Sequence, residues 1–158
     1  MEGRRPLFYP CTPLACLQLI SLVAPDLTGL KASVIGRSTI VGLPLALMLS
    51  NHNATVCMLN GSTPVGVLRQ TLQQSDLVIA ACGVPKLVRG EMVQEGAILI
   101  DVGINYVEGE DRDSQILVGD IAYEEAVNKA RAITPVPGGV GPMTIAMLLE
   151  NVVQAWKN

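Results

Sequence analysis

A chain of 158 residues with 49% hydrophobic and 16% charged side chains has room for about one core and too little charge for a disordered segment. Its net charge of -3 comes without any run of Lys or Arg, and aromatic side chains make up only 3%, so nucleic acid is not an expected partner. Cys11, Cys16, Cys57 and Cys82 form no Cys-x-x-Cys pair and the single histidine, His52, has no cysteine within three residues, so neither a metal site nor a disulfide framework is expected. Reduced thiols fit a cytoplasmic location or the inside of an organelle.

Near the start, Arg4-Arg5 followed by Leu14 to Ala24 imitates a secretory signal, but Pro10, Pro13 and Gln18 break the imitation. Thr12-Pro13 reads instead as an N-cap and a first helical position, opening an apolar helix through about Val23. No apolar run reaches the ~20 residues that span a bilayer, so no membrane segment is expected. Beyond Pro25 strands and helices alternate: a strand from Ala32 to Ile35, a helix from Val41 to Ser50, a strand from Ala54 to Leu59 and a helix from Val65 to Gln74. Further strands run from Asp76 to Ala81 and from Ala97 to Val102. Each is a continuous apolar run, the mark of a strand covered on both faces, so the predicted fold is α/β with a doubly wound, mostly parallel sheet of the Rossmann type. Tyr106 to Gln115 reads as a polar, acidic connection. A helix follows from about Ala122 to Ala130, with Glu124 and Glu125 early and Lys129 late, as the helix dipole favours. A last helix is predicted from Met143 to Trp156, with Pro142 near its start.

From Ser38 through Leu68 there is no Asp, Glu, Lys or Arg. A helix such as Leu43-Pro-Leu-Ala-Leu-Met-Leu49 is then either buried on all sides or covered by a subunit or domain contact.

Two stretches carry chemistry. Gly36-Arg37-Ser38-Thr39-Ile40-Val41-Gly42 joins the first strand to the first helix of the alternating series, and keeps only Gly36 and Gly42 of a G-x-G-x-x-G pattern. A glycine-tipped turn there offers free backbone N–H groups and a helix dipole to a phosphate, with Arg37 adding a fixed positive charge; the plainer alternative is a tight turn with an exposed arginine. After the second strand the chain reads Leu59-Asn60-Gly61-Ser62-Thr63, without the carboxylate that binds ribose hydroxyls in NAD sites. Together with Arg37 this favours NADP, with NAD as the alternative. The second stretch, Thr134-Pro-Val-Pro-Gly-Gly-Val-Gly-Pro-Met-Thr144, is stiff and poor in side chains, which suits a flat ligand such as a nicotinamide ring; otherwise it is a strand-to-helix connection with two turns. Asp101 and Asp120 are single carboxylates of structural rather than catalytic character, and no catalytic residue is assigned.

These stretches, with Ile100-Asp-Val-Gly-Ile-Asn105, Val118-Gly-Asp120 and Pro10-Cys-Thr-Pro13, resemble the C-terminal half of the bifunctional methylenetetrahydrofolate dehydrogenase/methenyltetrahydrofolate cyclohydrolase family, the FolD type, over nearly the whole chain. The resemblance implies a cofactor lying over Gly36, Arg37, Ser38 and Ile40 and further lined by Thr12, Gly61, Ala81, Val102, Ile104 and Thr144. Pro137, Gly138, Gly139, Val140 and Gly141 match the family's folate-side contacts. It implies oxidation of 5,10-methylenetetrahydrofolate with NADP, hydrolysis of the methenyl product to 10-formyltetrahydrofolate, and a homodimer. Residues 1–25 would be a connecting segment and helix at the tail of an N-terminal domain, and residues 26–158 the dinucleotide-binding domain. The family's catalytic lysine belongs to a Tyr-x-x-x-Lys motif, and none of Tyr9, Tyr106 and Tyr123 has a lysine four positions later. Asn60-Gly61 also replaces the family's His-Ser or arginine pair after the second strand, and Ala15 stands where glycine is common. Two hypotheses follow: the cofactor-binding half of a folate enzyme, or a truncated, non-catalytic nucleotide-binding or dimerisation module.

Overall fold

The computed structural model describes residues 6–109 and 114–157. Five strands form one parallel sheet in the order β2-β1-β3-β4-β7: β1 (Lys31–Ile35), β2 (Thr55–Leu59), β3 (Leu77–Ala80), β4 (Ile98–Asp101) and β7 (Ala132–Ile133). Registers run Ala32 with Val56 and Leu77, Leu77 with Ile98, and Ile98 with Ala132. The helices are α1 (Cys11–Ser21), α2 (Gly42–Asn51), α3 (Val65–Leu72), α4 (Tyr123–Ala126) and α5 (Val140–Lys157).

Alternate residues of each central strand serve opposite layers. Ala32, Val34, Leu77, Ile79, Ile98 and Ile100 pack with Cys16, Ile20, Leu45, Leu49 and Met147 of α1, α2 and α5. Ile35, Val78, Ala80 and Leu99 pack with Leu68, Leu72, Val88, Ile121 and Ala126 on the other side. The continuous apolar runs therefore reflect two covered faces, and each fully buried Leu, Ile or Val contributes roughly 1.5–3 kcal/mol. The buried Ser33 is satisfied by the Ser75 hydroxyl at 2.7 Å. The doubly wound parallel expectation holds.

The details differ in four places. First, α1 starts at Cys11 after Pro10, with no side-chain cap, so Thr12 lies inside its first turn and is not the N-cap. Second, the stretch read as a plain connection contains the arms of an antiparallel hairpin, β5 (Asn105–Glu108) and β6 (Gln115–Val118), while 110–113 lie outside the described residues. Third, α4 ends at Ala126 and not near Ala130. The chain must leave it to pair Ala132 with Ile98, and Lys129 instead donates to the Gly90 carbonyl at 3.1 Å. Fourth, α5 begins at Val140, with Pro142 tolerated in the first turn because an N–H there has no helical partner.

The uncharged helix α2 is not buried all round. Leu45, Met48 and Leu49 are buried, whereas Leu43 and Leu47, one turn apart, are 41% and 37% exposed.

Candidate functional site

The chain passes from β1 to β2 on one side of the sheet and continues to β3 on the other, so the strand order reverses between β1 and β3. Ligands of open α/β sheets bind beyond the carboxyl ends of strands at such a switch point. Here Gly36 follows β1 at φ +119, where a Cβ would strike the Ala81 carbonyl after β3. Gly36 N–H donates to Leu59 and Ala81 N–H to Ile35, tying the ends of β2, β1 and β3 together.

The start of α2 satisfies itself, contrary to the expected free helix terminus. Ser38 Oγ accepts from Val41 N–H at 3.1 Å and Gly42 N–H at 3.3 Å, and the Ser38 carbonyl accepts from Leu43. Pro44 has no N–H, and Leu45 donates to Val41. What remains for an anion is the preceding turn: the amides of Arg37, Ser38, Thr39 and Ile40 have no partner among the described residues, and Arg37 adds its guanidinium.

Two cavities flank this turn. One, of about 440 Å³, is bordered by Gly36, Arg37, Ser38, Asn60, Gly61 and Ala81 over an apolar floor that includes Leu68 and Leu87. Arg37 is its one cation among the described lining residues, and no carboxylate lines it. Asn60 occupies the place of the usual acid. Its Oδ1 accepts from Ser62 N–H at 2.9 Å, and its own N–H donates to Thr63 Oγ1 at 3.0 Å. The other cavity, of about 490 Å³, brings together Thr12, Val102, Ile104, Thr144 and the whole Pro137–Gly141 run. Thr144 Oγ1 donates to the Val140 carbonyl at 2.9 Å and lies 3.4 Å from Thr12 Oγ1. The Val136-Pro137 peptide is cis. Ile40 lines neither cavity: it stands 73% exposed at the turn tip.

The carboxylates at this end are structural. Buried Asp101 accepts from Gly103 and Asp120 N–H on Oδ1, both at 2.9 Å, and from Ile121 N–H on Oδ2 at 2.8 Å. Burial raises its pKa above the ordinary carboxylate value despite those three donors, and the neighbouring Asp120 charge adds to the rise. Buried Asp120 accepts from Cys82 N–H at 2.7 Å, Gly83 N–H at 2.9 Å and Asn105 Nδ2 at 2.8 Å. The Cys82 thiol is pushed up to about 12 by burial and then by the Asp120 charge, so it is no ready nucleophile. No group of three or more metal-ligating side chains occurs among the described residues.

Three residues not among the expected site residues also contribute here, two of them, Asn105 and Thr134, at the ends of the quoted motifs. Leu117 of β6 lines the second cavity, Asn105 holds Asp120, and Thr134 Oγ1 accepts from Asp101 N–H at 2.8 Å. Neither Asn105-Tyr-Val-Glu108 nor Gln115-Ile-Leu-Val118 alternates in polarity, so the period that marks a half-buried strand was absent here.

A glycine-closed switch point with an anion-favouring cavity on one side and an apolar, backbone-walled cavity on the other defines a dinucleotide-binding α/β domain. Residues 10–158 match the family profile described as tetrahydrofolate dehydrogenase/cyclohydrolase, NAD(P)-binding domain. The bifunctional protein FolD of Moorella thermoacetica is 53% identical over 148 residues, which are 94% of this chain and 50% of that protein. Bifunctional protein FolD 4, chloroplastic, of Arabidopsis thaliana is 51% identical over 160 residues, 99% of this chain and 43% of that one. The structure of the Trypanosoma brucei N5,N10-methylenetetrahydrofolate dehydrogenase-cyclohydrolase (FolD), complexed with NADP cofactor and inhibitor, superimposes with a TM-score of 0.93 at 40% identity, covering 99% of this chain and 53% of that one. The chain belongs to this family and is its NAD(P)-binding domain. It spans about half the length of the curated relatives it matches.

Proposed function

We propose that the chain is the cofactor-binding half of a folate one-carbon enzyme that oxidises 5,10-methylenetetrahydrofolate to 5,10-methenyltetrahydrofolate with NADP, the complete enzyme hydrolysing that product to 10-formyltetrahydrofolate. The observation that carries this reading is the pair of cavities on either side of the Gly36 turn, one without carboxylate and with Arg37, the other walled by Pro137–Gly141. The residues present fit NADP: glycine at position 36 leaves room that a Cβ would fill, and no acid near Asn60 opposes a ribose phosphate. Bound NADP⁺ would supply the hydride acceptor.

The chain's own part is binding and orientation. Arg37 would hold the ribose phosphate, and the amides of Arg37 to Ile40 would be available to the remaining phosphates. The stiff Pro137–Gly141 run, with Thr12, Val102, Ile104 and Thr144, would confine the ring and shield it from water. Gly61 and Ala81 complete the adenosine side. Water activation for the hydrolytic step falls to a Tyr-x-x-x-Lys half that these residues do not contain, because Asp101 and Asp120 are both engaged by backbone N–H groups. In this reading residues 1–25 form a connecting segment whose helix packs into the core, and 26–158 the binding domain.

Full use of both buried carboxylates also supports the second reading, a nucleotide-binding or dimerisation module without turnover. Assay of the purified chain alone separates the two parts of the proposal: it should bind NADP⁺ yet not oxidise methylenetetrahydrofolate. Substantial turnover would contradict the assignment of acid/base chemistry to another half. A homodimer is proposed through the exposed Leu43 and Leu47 stripe; Leu47→Glu should then sediment as monomer, and an unaltered dimer would refute that surface.

A further inference from the structure

Resting on the nucleotide-binding reading above, we infer that Asp120, which lines neither cavity, is a positioning residue for the nucleotide: its carboxylate fixes the backbone of Cys82 and Gly83, and through them one wall of the adenosine-side cavity.

Where the chain leaves β3 the sheet no longer supplies acceptors, yet Ala81, Cys82 and Val84 must line the cavity beside Gly36. Successive amides of Cys82 and Gly83, the latter at φ +67, converge on Asp120 Oδ2 at 2.7 and 2.9 Å. Two N–H groups donating to one anion form a backbone nest, here closed by the protein's own side chain. Asn105 Nδ2 holds the other oxygen at 2.8 Å.

Asp120 is itself held. Its N–H donates to Asp101 Oδ1 at 2.9 Å, and its carbonyl accepts from Val88 N–H at 3.0 Å. The series runs from the end of β4, through residue 120, to the turn after β3. It is closely fitted: a Cβ at Gly103 would strike the Asp120 carboxylate, and one at Gly119 would strike that of Asp101. Neither carboxylate takes part in an ion pair among the described residues. A buried anion without a cation costs stability, so its place is explained by the amides it gathers rather than by charge pairing. A ligand wall misplaced by a fraction of an ångström weakens binding without unfolding the domain.

The test uses the purified 158-residue chain and calorimetric titration with 2′,5′-ADP, which fills only the adenosine side, and with NADP⁺. Asp120→Ala should weaken both ligands by the same factor, about tenfold, because the part-buried amides of Cys82 and Gly83 lose the acceptor that fixes them. Asp120→Asn keeps a carbonyl oxygen for those amides and should stay within about threefold of the parent. A folded Asp120→Ala chain that binds 2′,5′-ADP as the parent does would overturn the inference, and so would a folded Asp120→Asn chain as weak as the alanine variant. Should Asp120→Ala not fold, Asn105→Ala carries the test: about threefold weaker 2′,5′-ADP binding upholds the inference, and parental affinity overturns it. If the parent binds neither ligand, the nucleotide reading itself fails, a result distinct from any difference among variants.

Discussion

The two sides of the cleft recognise by different means. At the Gly36 turn, amides without a partner among the described residues and one guanidinium border a cavity whose described lining includes no carboxylate, so in the proposed reading charge does the selecting. At the Pro137–Gly141 run the described lining holds no cation and one carboxylate, Asp101, already engaged by three backbone N–H groups, so in the proposed reading selection falls to the shape set by backbone and apolar side chains. One substitution should therefore disturb phosphate recognition without touching ring recognition, and the domain needs both cavities held at a fixed separation.

The largest effect is expected where that separation is set. Gly36→Val would drive side-chain atoms into the Ala81 carbonyl at a φ of +119, a strain of roughly 2–5 kcal/mol. Thermal unfolding should show a marked fall in Tm, and titration should show no NADPH binding; a variant with parental Tm would mean that the close approach of β1 and β3 is not what shapes the cleft. Arg37→Ala should break the contrast between the two sides instead. NADP⁺ affinity should fall about tenfold while NAD⁺, lacking the ribose phosphate, changes little. Equal losses for both nucleotides would move the guanidinium to another role.

Much of this cleft could be read in the sequence because it rests on local rules. Continuous apolar strands marked both covered faces, and Gly36 and the proline-glycine run marked backbone needs that few other residues meet. What escaped was long-range or unmarked by polarity. Ser38 consumes the first N–H groups of α2, although the same residue could equally have left them to a ligand. The hairpin arms Asn105–Glu108 and Gln115–Val118 form a two-stranded ribbon without a fully buried face, so no alternation of polarity marked them. On α2, leucines on the exposed stripe and leucines in the core are the same residue, and only packing separates Leu43 and Leu47 from Leu45 and Leu49. The pairing of Asp101 with the backbone at Asp120 and Ile121 spans nearly twenty positions and belongs to the tertiary fold.

A smaller effect is expected at Asp101, which borders the cavity of the Pro137–Gly141 run. Burial raises the Asp101 pKa, so the folded chain holds that proton more tightly than the unfolded chain does. The stability this group contributes is therefore fully present below its unfolded value near 3.8 and is lost as the pH rises through the higher folded value. Urea unfolding of the parent and of Asp101→Asn across that window should show a downward component with rising pH in the parent that the variant lacks. Parallel pH profiles would contradict it.

In the proposed reading the turn after β1 and the loop before α5 together seat one NADP molecule. Calorimetric titration of the purified chain with NADPH should give a single saturable site, with stoichiometry of one per chain and a raised melting temperature on saturation. A flat titration and an unmoved melting temperature would contradict it.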